Sequence, residues 1–258
     1  MLIDSHAHLN FPDYDKDRDE VVKKCLENNV WMVNVGTDYE TSKKAVEISE
    51  EYSQGVFAAV GMHPENIGKE EFNCDRYKNL IRSKKVVAIG EIGLDYWHCP
   101  KTKKKQTEFK EKQKELSLRQ LNLAKELNLP IIFHCRKAHN DLLEILKKFQ
   151  VSCFKLQGVV HCFTGNWQQA EKYLEMGLYL GFNGIIFKLN LDEIIKKAPL
   201  DKILIETDCP FLSPLAEVKR NEPLFVKYIG EKIAKLKNIT FEEVAEKTTQ
   251  NAKNLFNL

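Results

Sequence analysis

Long apolar runs are missing from this sequence. No uninterrupted stretch approaches the ~18 residues a membrane-spanning helix needs, so nothing in it reads as a membrane anchor. The basic patch, apolar stretch and small-residue cleavage site of a secretory leader are missing too, and a cytoplasmic location is the expectation. The seven cysteines, Cys25, Cys74, Cys99, Cys135, Cys153, Cys162 and Cys209, form an odd set without a CxxC pair. That argues against a disulfide framework and against a thiolate zinc knuckle, and leaves reduced thiols filling the core. Net charge is only +2, so global basicity does not announce a nucleic-acid binder, and an anionic substrate would have to be gripped by local charge. Nor is there a Gly/Ser linker, an internal repeat or a low-complexity tract to divide the chain. With 258 residues, 29% of them charged and 43% hydrophobic, residues 1–258 are expected to form a single globular domain.

What is present is an alternation. Strand-length apolar segments, "LIDSHAH", "VWMVNVG", "VFAAVGMHP", "VVAIGEIG", "LPIIFHC", "GVVHCF", "LYLGFNG" and "KILIETD", are separated by stretches with apolar residues at three and four spacing. Eight βα units are the number that closes a parallel (β/α)8 TIM barrel, an α/β fold. Two further helices are expected after the last strand, "LFVKYIGEKIAKLKN" and "TFEEVAEKTTQNAKNLF", the second opened by Thr240 and Glu243 as a capping box. A doubly wound open sheet would show the same alternation. The lysine run Lys101 to Lys105, interrupted by Thr102 and followed by Lys110, Lys112 and Lys114, reads as the solvated entrance of a helix.

The ionisable residues fall at one end of these strands. His6 and His8 end the first, His63 the third, Glu91 the fourth, His134 the fifth, His161 the sixth and Asp208 the eighth. In a closed barrel all carboxyl ends converge on the face where barrel enzymes keep their active sites. His98 and His139 fall in a loop and at a helix start and are set aside. His6, His8, Glu91, His134, His161 and Asp208 are too many donors for one tetrahedral ion. Two divalent ions bridged by Glu91 fit the count better, with His6, His8 and Asp208 on one and His134 and His161 on the other. Imidazole and carboxylate donors suit Zn, Mn, Co, Ni or Mg. Asp4, Glu206 and Arg136 stand two positions from a proposed ligand and share its face, where a carboxylate can orient an imidazole and an arginine can hold an anion. Cys135, Cys162 and Cys209 directly follow proposed ligands, and alternation turns them into the helix layer.

The motifs "IDSHAHL", "GMHPE", "VVAIGEIGLDY", "LPIIFHCRKA", "GVVHCFTG", "LIETDCPFLSP" and "KRNEP" resemble, in order and spacing, those of the TatD-like metal-dependent deoxyribonucleases of the amidohydrolase type. The resemblance implies a (β/α)8 barrel, a divalent metal pair and hydrolysis of phosphoester bonds in DNA, often exonucleolytic. It maps the family's ligand positions onto the same six residues. Glu65 stands where a second histidine is common, Lys137 where an aspartate is usual, and the glycine that commonly precedes Lys219 and Arg220 is missing. On this reading Asp208 is the general base, and Arg136, Lys219, Arg220 and the loop lysines are candidate phosphate contacts, with His63 either a further substrate contact or a group behind the ligands. Tyr96, Trp97 and Phe163 either stack on bases or pack the barrel mouth. DNA is the expected partner, with no membrane and no obligate protein partner. Two rivals stay open: a binuclear amidohydrolase acting on a small molecule, and a non-catalytic barrel with a structural metal.

Overall fold

The computed structural model describes residues 1–150 and 156–258, and Cys153 lies outside them. Strands β1 (Leu2–Ala7), β2 (Val30–Val35), β3 (Val56–Val60), β4 (Val86–Asp95), β5 (Ile131–Arg136), β6 (Gly158–Val160), β7 (Tyr179–Phe182) and β8 (Ile203–Ile205) lie side by side in chain order. Every neighbouring pair is parallel. The chain beyond β8 then returns to β1. Asp208 N donates to His6 O at 2.8 Å and His8 N to Cys209 O at 2.9 Å, Ala7 bridges to Cys209, and Ser5 Oγ donates to Ile205 O at 3.1 Å. The sheet is therefore a nearly closed TIM barrel, and the open-sheet alternative is gone.

Among the described residues the strands are wrapped by α1 (Arg18–Glu27), α2 (Tyr39–Glu50), α3 (Cys74–Ile81), α4 (Lys103–Leu127), α5 (His139–Gln150), α6 (Trp167–Glu175), α7 (Asp192–Lys197), α8 (Val226–Lys237) and α9 (Phe241–Phe256). None is long and apolar enough to cross a membrane. Helix ends are set by local chemistry. Thr240 and Glu243 form the expected capping box on α9, and Asn128, Asn238 and Asn257 end α4, α8 and α9 in the left-handed conformation that asparagine tolerates. Helix α4 begins at Lys103, earlier than the periodicity suggests, so Lys103, Lys104 and Lys105 occupy its first turn, where the macrodipole disfavours cations.

Ile3, Val33, Val35, Ala59, Ala88, Ile132, Val159 and Leu204 fill the barrel interior, with Leu255 and Phe256 of α9 packed on the same cluster. Helix α9 also ties β1 to the approach to β8: Thr249 Oγ1 donates to Met1 O, and Asn251 Nδ2 donates to Leu200 O and Ile203 O. The larger cluster lies between sheet and helices.

Two strands depart from strict alternation. On β1, Asp4 and Ala7 pair with Met32 and Asn34, three residues against two. On β4, Ile89 and Ile92 pair with Ile131 and Phe133, again three against two. Each extra residue is a bulge, which changes the face presented by the residues after it. His6 and Glu91 lie within these two irregular stretches.

Candidate metal centre

At the two bulges and beyond them, imidazoles and carboxylates converge. His6 Nε2 and His8 Nε2 face each other at 3.1 Å. Asp208 Oδ1 stands 3.8 Å from the first and 3.4 Å from the second, and Glu91 Oε2 stands 3.6 Å and 4.0 Å from them. Four donors thus surround one point, at separations near the ~3.4 Å edge of a tetrahedron with ~2.1 Å bonds. The other oxygen of Glu91 looks the opposite way. Oε1 lies 2.6 Å from His134 Nδ1, 2.9 Å from His161 Nε2 and 3.8 Å from His63 Nε2. Three donor sets have ligand atoms within 4.8 Å of one another: His6 with Glu91 and His161, His6 with His8 and Asp208, and His63 with Asp95 and His134. The six proposed ligands are brought together, and His63 joins them as a seventh group. His134 and His161 meet through Glu91, their ring centroids being 5.8 Å apart.

The surrounding charges poise this cluster for a cation. Burial pushes the Glu91 carboxyl up, but His161, His63 and His134 outweigh it and hold it well below the usual carboxylate range. Burial likewise raises Asp208, and the hydrogen bond from His8 with the charges of His161 and His6 brings it below its ordinary value. His63 is pushed down to about 3 by burial and by His134, and His6 is lowered by burial and by His161. His134 rises to about 9 because Glu91 and Asp95 overcome its burial. Burial lowers His161, but Glu91 and Glu206 outweigh it and raise it well above its ordinary value. Ionised carboxylates beside imidazoles, whose protons a divalent ion would displace on binding, make a donor set suited to such an ion. The buried His6 Nδ1 has no hydrogen-bond partner among the described residues, so this ring is held without a second polar anchor.

Each remaining imidazole is oriented by a different device. His8 Nδ1 donates to Val35 O at 2.8 Å. His161 Nδ1 meets Glu206 Oε1 at 3.1 Å, and that oxygen also accepts from Cys162 N and Asn183 Nδ2. Gly181 leaves room for this carboxylate, since a Cβ there would lie 2.5 Å from Glu206 Oε2. His134 Nε2 meets Asp95 Oδ2 at 2.9 Å. Sequence reasoning passed over Asp95, although it stands four residues beyond Glu91 on one strand, an even spacing that could have revealed it.

Asp4 does not orient an imidazole, contrary to expectation. Its carboxylate accepts from His6 N at 3.2 Å and from Thr207 N at 2.8 Å, and from the Thr207 hydroxyl. Because the β1 bulge lies between Asp4 and His6, the two side chains do not share a face, and Asp4 instead locks the β1–β8 seam. Cys135 and Cys209 are buried as expected, Cys135 Sγ lying against the Tyr173 hydroxyl of α6. Cys162 departs from expectation: its φ of 44° breaks the alternation, and it lines the cleft. Burial pushes its thiol to about 12, which keeps it protonated and unreactive.

The cluster sits in a cleft of about 1240 Å³ at the carboxyl ends of the strands. Phe11, Ile185, Leu189, Phe211 and Leu212 line it, as do Tyr96, Trp97, Lys110, Arg136 and Lys137. Arg220 and Lys219 lie outside this lining. Lys219 is exposed, whereas Arg220 forms a bidentate pair with Asp17 at 2.7 and 2.6 Å and reaches Glu222 at 3.1 Å. Its guanidinium is engaged in holding the segment after β8 to the turn before α1, which is a physical reason against a phosphate contact. Phe163 is fully buried against Tyr173 and His139 and packs the core.

A nearly closed eight-stranded barrel that gathers imidazoles and carboxylates at one mouth is the frame of a metal-dependent hydrolase. Comparison with known proteins agrees: the family described as TatD related DNase matches residues 3–257. The metal-dependent hydrolase YabD of Bacillus subtilis is 45% identical over 264 residues, covering 100% of both chains. The 3'-5' ssDNA/RNA exonuclease TatD of Erwinia tasmaniensis is 33% identical over 269 residues, also covering 100% of both. Among solved structures, the TatD homologue YJJV of Escherichia coli K12 superposes with a TM-score of 0.88 at 30% identity, covering 100% of this chain and 98% of that one. The chain belongs to the TatD family of metal-dependent hydrolases.

Proposed function

We propose that this cytoplasmic enzyme, a single domain over residues 1–258, removes nucleotides from the end of a DNA strand by hydrolysing phosphodiester bonds with two divalent ions. The observation that carries the two-ion reading is the placement of Glu91, whose Oε2 faces His6 and His8 while its Oε1 faces His134 and His161. His6, His8, Asp208 and Glu91 would hold one ion, and Glu91, His134 and His161 the other. Bound there, such a pair lowers the pKa of water, polarises the phosphoryl oxygen and steadies the leaving alkoxide.

The chain's own groups do the rest. Asp208, ionised and at the cluster's edge, accepts the proton of the attacking water. His63, whose Nε2 faces Glu91 Oε1, holds the reacting phosphate, and Arg136 at the rim contacts a phosphate further along the strand. A DNA strand is favoured over a small amide by the cleft, which exceeds the 300–1,000 Å³ of typical small-molecule pockets and carries cations, Arg136 and Lys137, with no ion-pair partner among the described residues. The exonuclease named for the Erwinia relative points the same way.

The test is a metal-titrated assay on end-labelled single- and double-stranded DNA, run beside an N-acyl amino acid. Shortening from one end that requires a divalent ion and stops with EDTA is the expected result. Cleavage of the amide alone, or DNA cleavage indifferent to chelator, would overturn the proposal.

A further inference from the structure

The outer rim of the cleft carries a group that the hydrolytic chemistry does not require. Trp97 is 49% exposed, an unusual state for an indole. The Arg136 guanidinium stands 4.2 Å and the Lys137 ammonium 4.1 Å from the same ring centroid. Neither cation has a carboxylate within ion-pair distance among the described residues. Two like charges gathered on one indole face only its π electrons, which attract a cation weakly when exposed. An anion entering between them would relieve their repulsion and replace that weak contact with charge-assisted hydrogen bonds. Lys110, stacked on Tyr96 at 4.5 Å, adds a third cation to the same rim.

The position of this group is fixed relative to the centre. Asp95 accepts from Trp97 N through Oδ1 at 2.7 Å while its Oδ2 meets His134. Asp95 pairs with Arg136 across β4 and β5, and Tyr96 N donates to Arg136 O at 2.9 Å. Lys137 then leaves β5 in the left-handed conformation, with φ at 56°, which lysine rarely adopts. Arg136 and Lys137 thus sit two and three residues beyond the proposed ligand His134, and Trp97 two beyond Asp95, the carboxylate that holds His134. At ~3.3 Å per residue that is about 7–10 Å, roughly one nucleotide out from the reacting phosphate.

We propose that Trp97 and Lys137, with Arg136, form a subsite for the nucleotide next to the scissile one. The base stacks on the indole, and its phosphate lies between the guanidinium and the ammonium. Stacking of this kind needs an unpaired base, so the subsite selects a single strand of two or more nucleotides. This proposal rests on the phosphodiesterase reading above, and the test separates the two.

The measurement is anisotropy of a fluorescein-labelled, phosphorothioate-linked oligothymidylate, which resists cleavage and so reports binding without chemistry. Bis(p-nitrophenyl) phosphate, too small to reach Trp97, reports the centre alone. Trp97→Ala should weaken oligonucleotide binding about tenfold or more, with Trp97→Phe restoring most of it, while turnover of the small diester stays within about twofold. Lys137→Ala should lower the salt dependence of binding by about one counterion. Unchanged oligonucleotide affinity in Trp97→Ala, an equal loss on both substrates, or no binding by the wild-type protein would each overturn the subsite. Wild-type binding without cleavage in any divalent ion would instead leave the subsite standing and remove the nuclease reading.

Discussion

The two halves of the centre are built by different means. His6, His8 and Asp208 belong to the barrel seam: Asp208 N bonds to His6 O, and His8 N bonds to Cys209 O. Their geometry is therefore a by-product of closing the sheet. His134 and His161 are held by side chains, the first between Glu91 and Asp95 and the second between Glu91 and Glu206. The seam half depends on folding, and the other half on a carboxylate network that can be edited one atom at a time. Among the described residues Glu91 is the carboxylate that faces both halves, so on the two-ion proposal substitutions should separate into losses of two ions, of one, and of affinity only.

Glu91→Ala strikes both halves and should have the largest effect. Activity should fall at least about ten-thousandfold, the loss of several kcal/mol of charge stabilisation, and bound metal measured by mass spectrometry should approach zero while circular dichroism keeps the native spectrum. Asp208→Asn keeps the seam's backbone bonds but removes a donor and the proposed base. A drop of about a thousandfold in kcat is expected, with one equivalent of metal lost and the second retained. If both equivalents disappear, the halves are not independent and the comparison fails. Asp95→Asn leaves every proposed ligand in place and takes away the charge that orients His134. Outer carboxylates of this kind are worth about 10–100-fold in metal affinity, so the metal concentration for half-maximal activity should rise by that factor with kcat at saturation little changed.

The same division explains how far the sequence could be read. Eight apolar segments separated by helical periodicity suffice for the parallel strand-helix order, because period-2 and period-3.6 patterns report burial directly, whereas closure of the sheet, which excludes the open alternative, is carried by the bonds between the end of β8 and β1. Six strand-end residues suffice for the cluster, because parallel strands in a barrel share one end. What alternation could not supply is the bulges. Strict parity from Ala88 would turn Glu91 toward the helices, and it would keep Asp4 on the face of His6; the three-against-two pairing of β1 and β4 does the opposite. A bulge is a property of two strands together, and one strand's pattern carries little trace of it. Cys162 escaped for the same reason, its left-handed backbone being set by the turn leaving β6. Arg220 escaped differently, since a sequence motif shows that a cation is present but not whether Asp17 has already engaged it.

Arg220 gives the smallest effect and the sharpest contrast with the cleft cations. Its pair with Asp17 is bidentate, yet both side chains are about a third exposed, at 30% and 33%, so water and salt screen most of the Coulomb energy. Arg220→Ala should lower unfolding stability in urea by less than about 1 kcal/mol. The hydrogen bond from Arg220 holds the Asp17 carboxyl below its ordinary value. A depressed carboxylate contributes stability that is complete above its unfolded pKa of about 3.9 and is lost as pH falls through the folded value. The stability difference between wild type and variant should therefore be flat from neutral pH down to about 4 and vanish below that. KM for an oligonucleotide should not move, because the guanidinium faces Asp17 and not the cleft. A several-fold rise in KM with unaltered stability would return Arg220 to the substrate and erase the distinction between cations that pair within the fold and rim cations that have no carboxylate partner among the described residues.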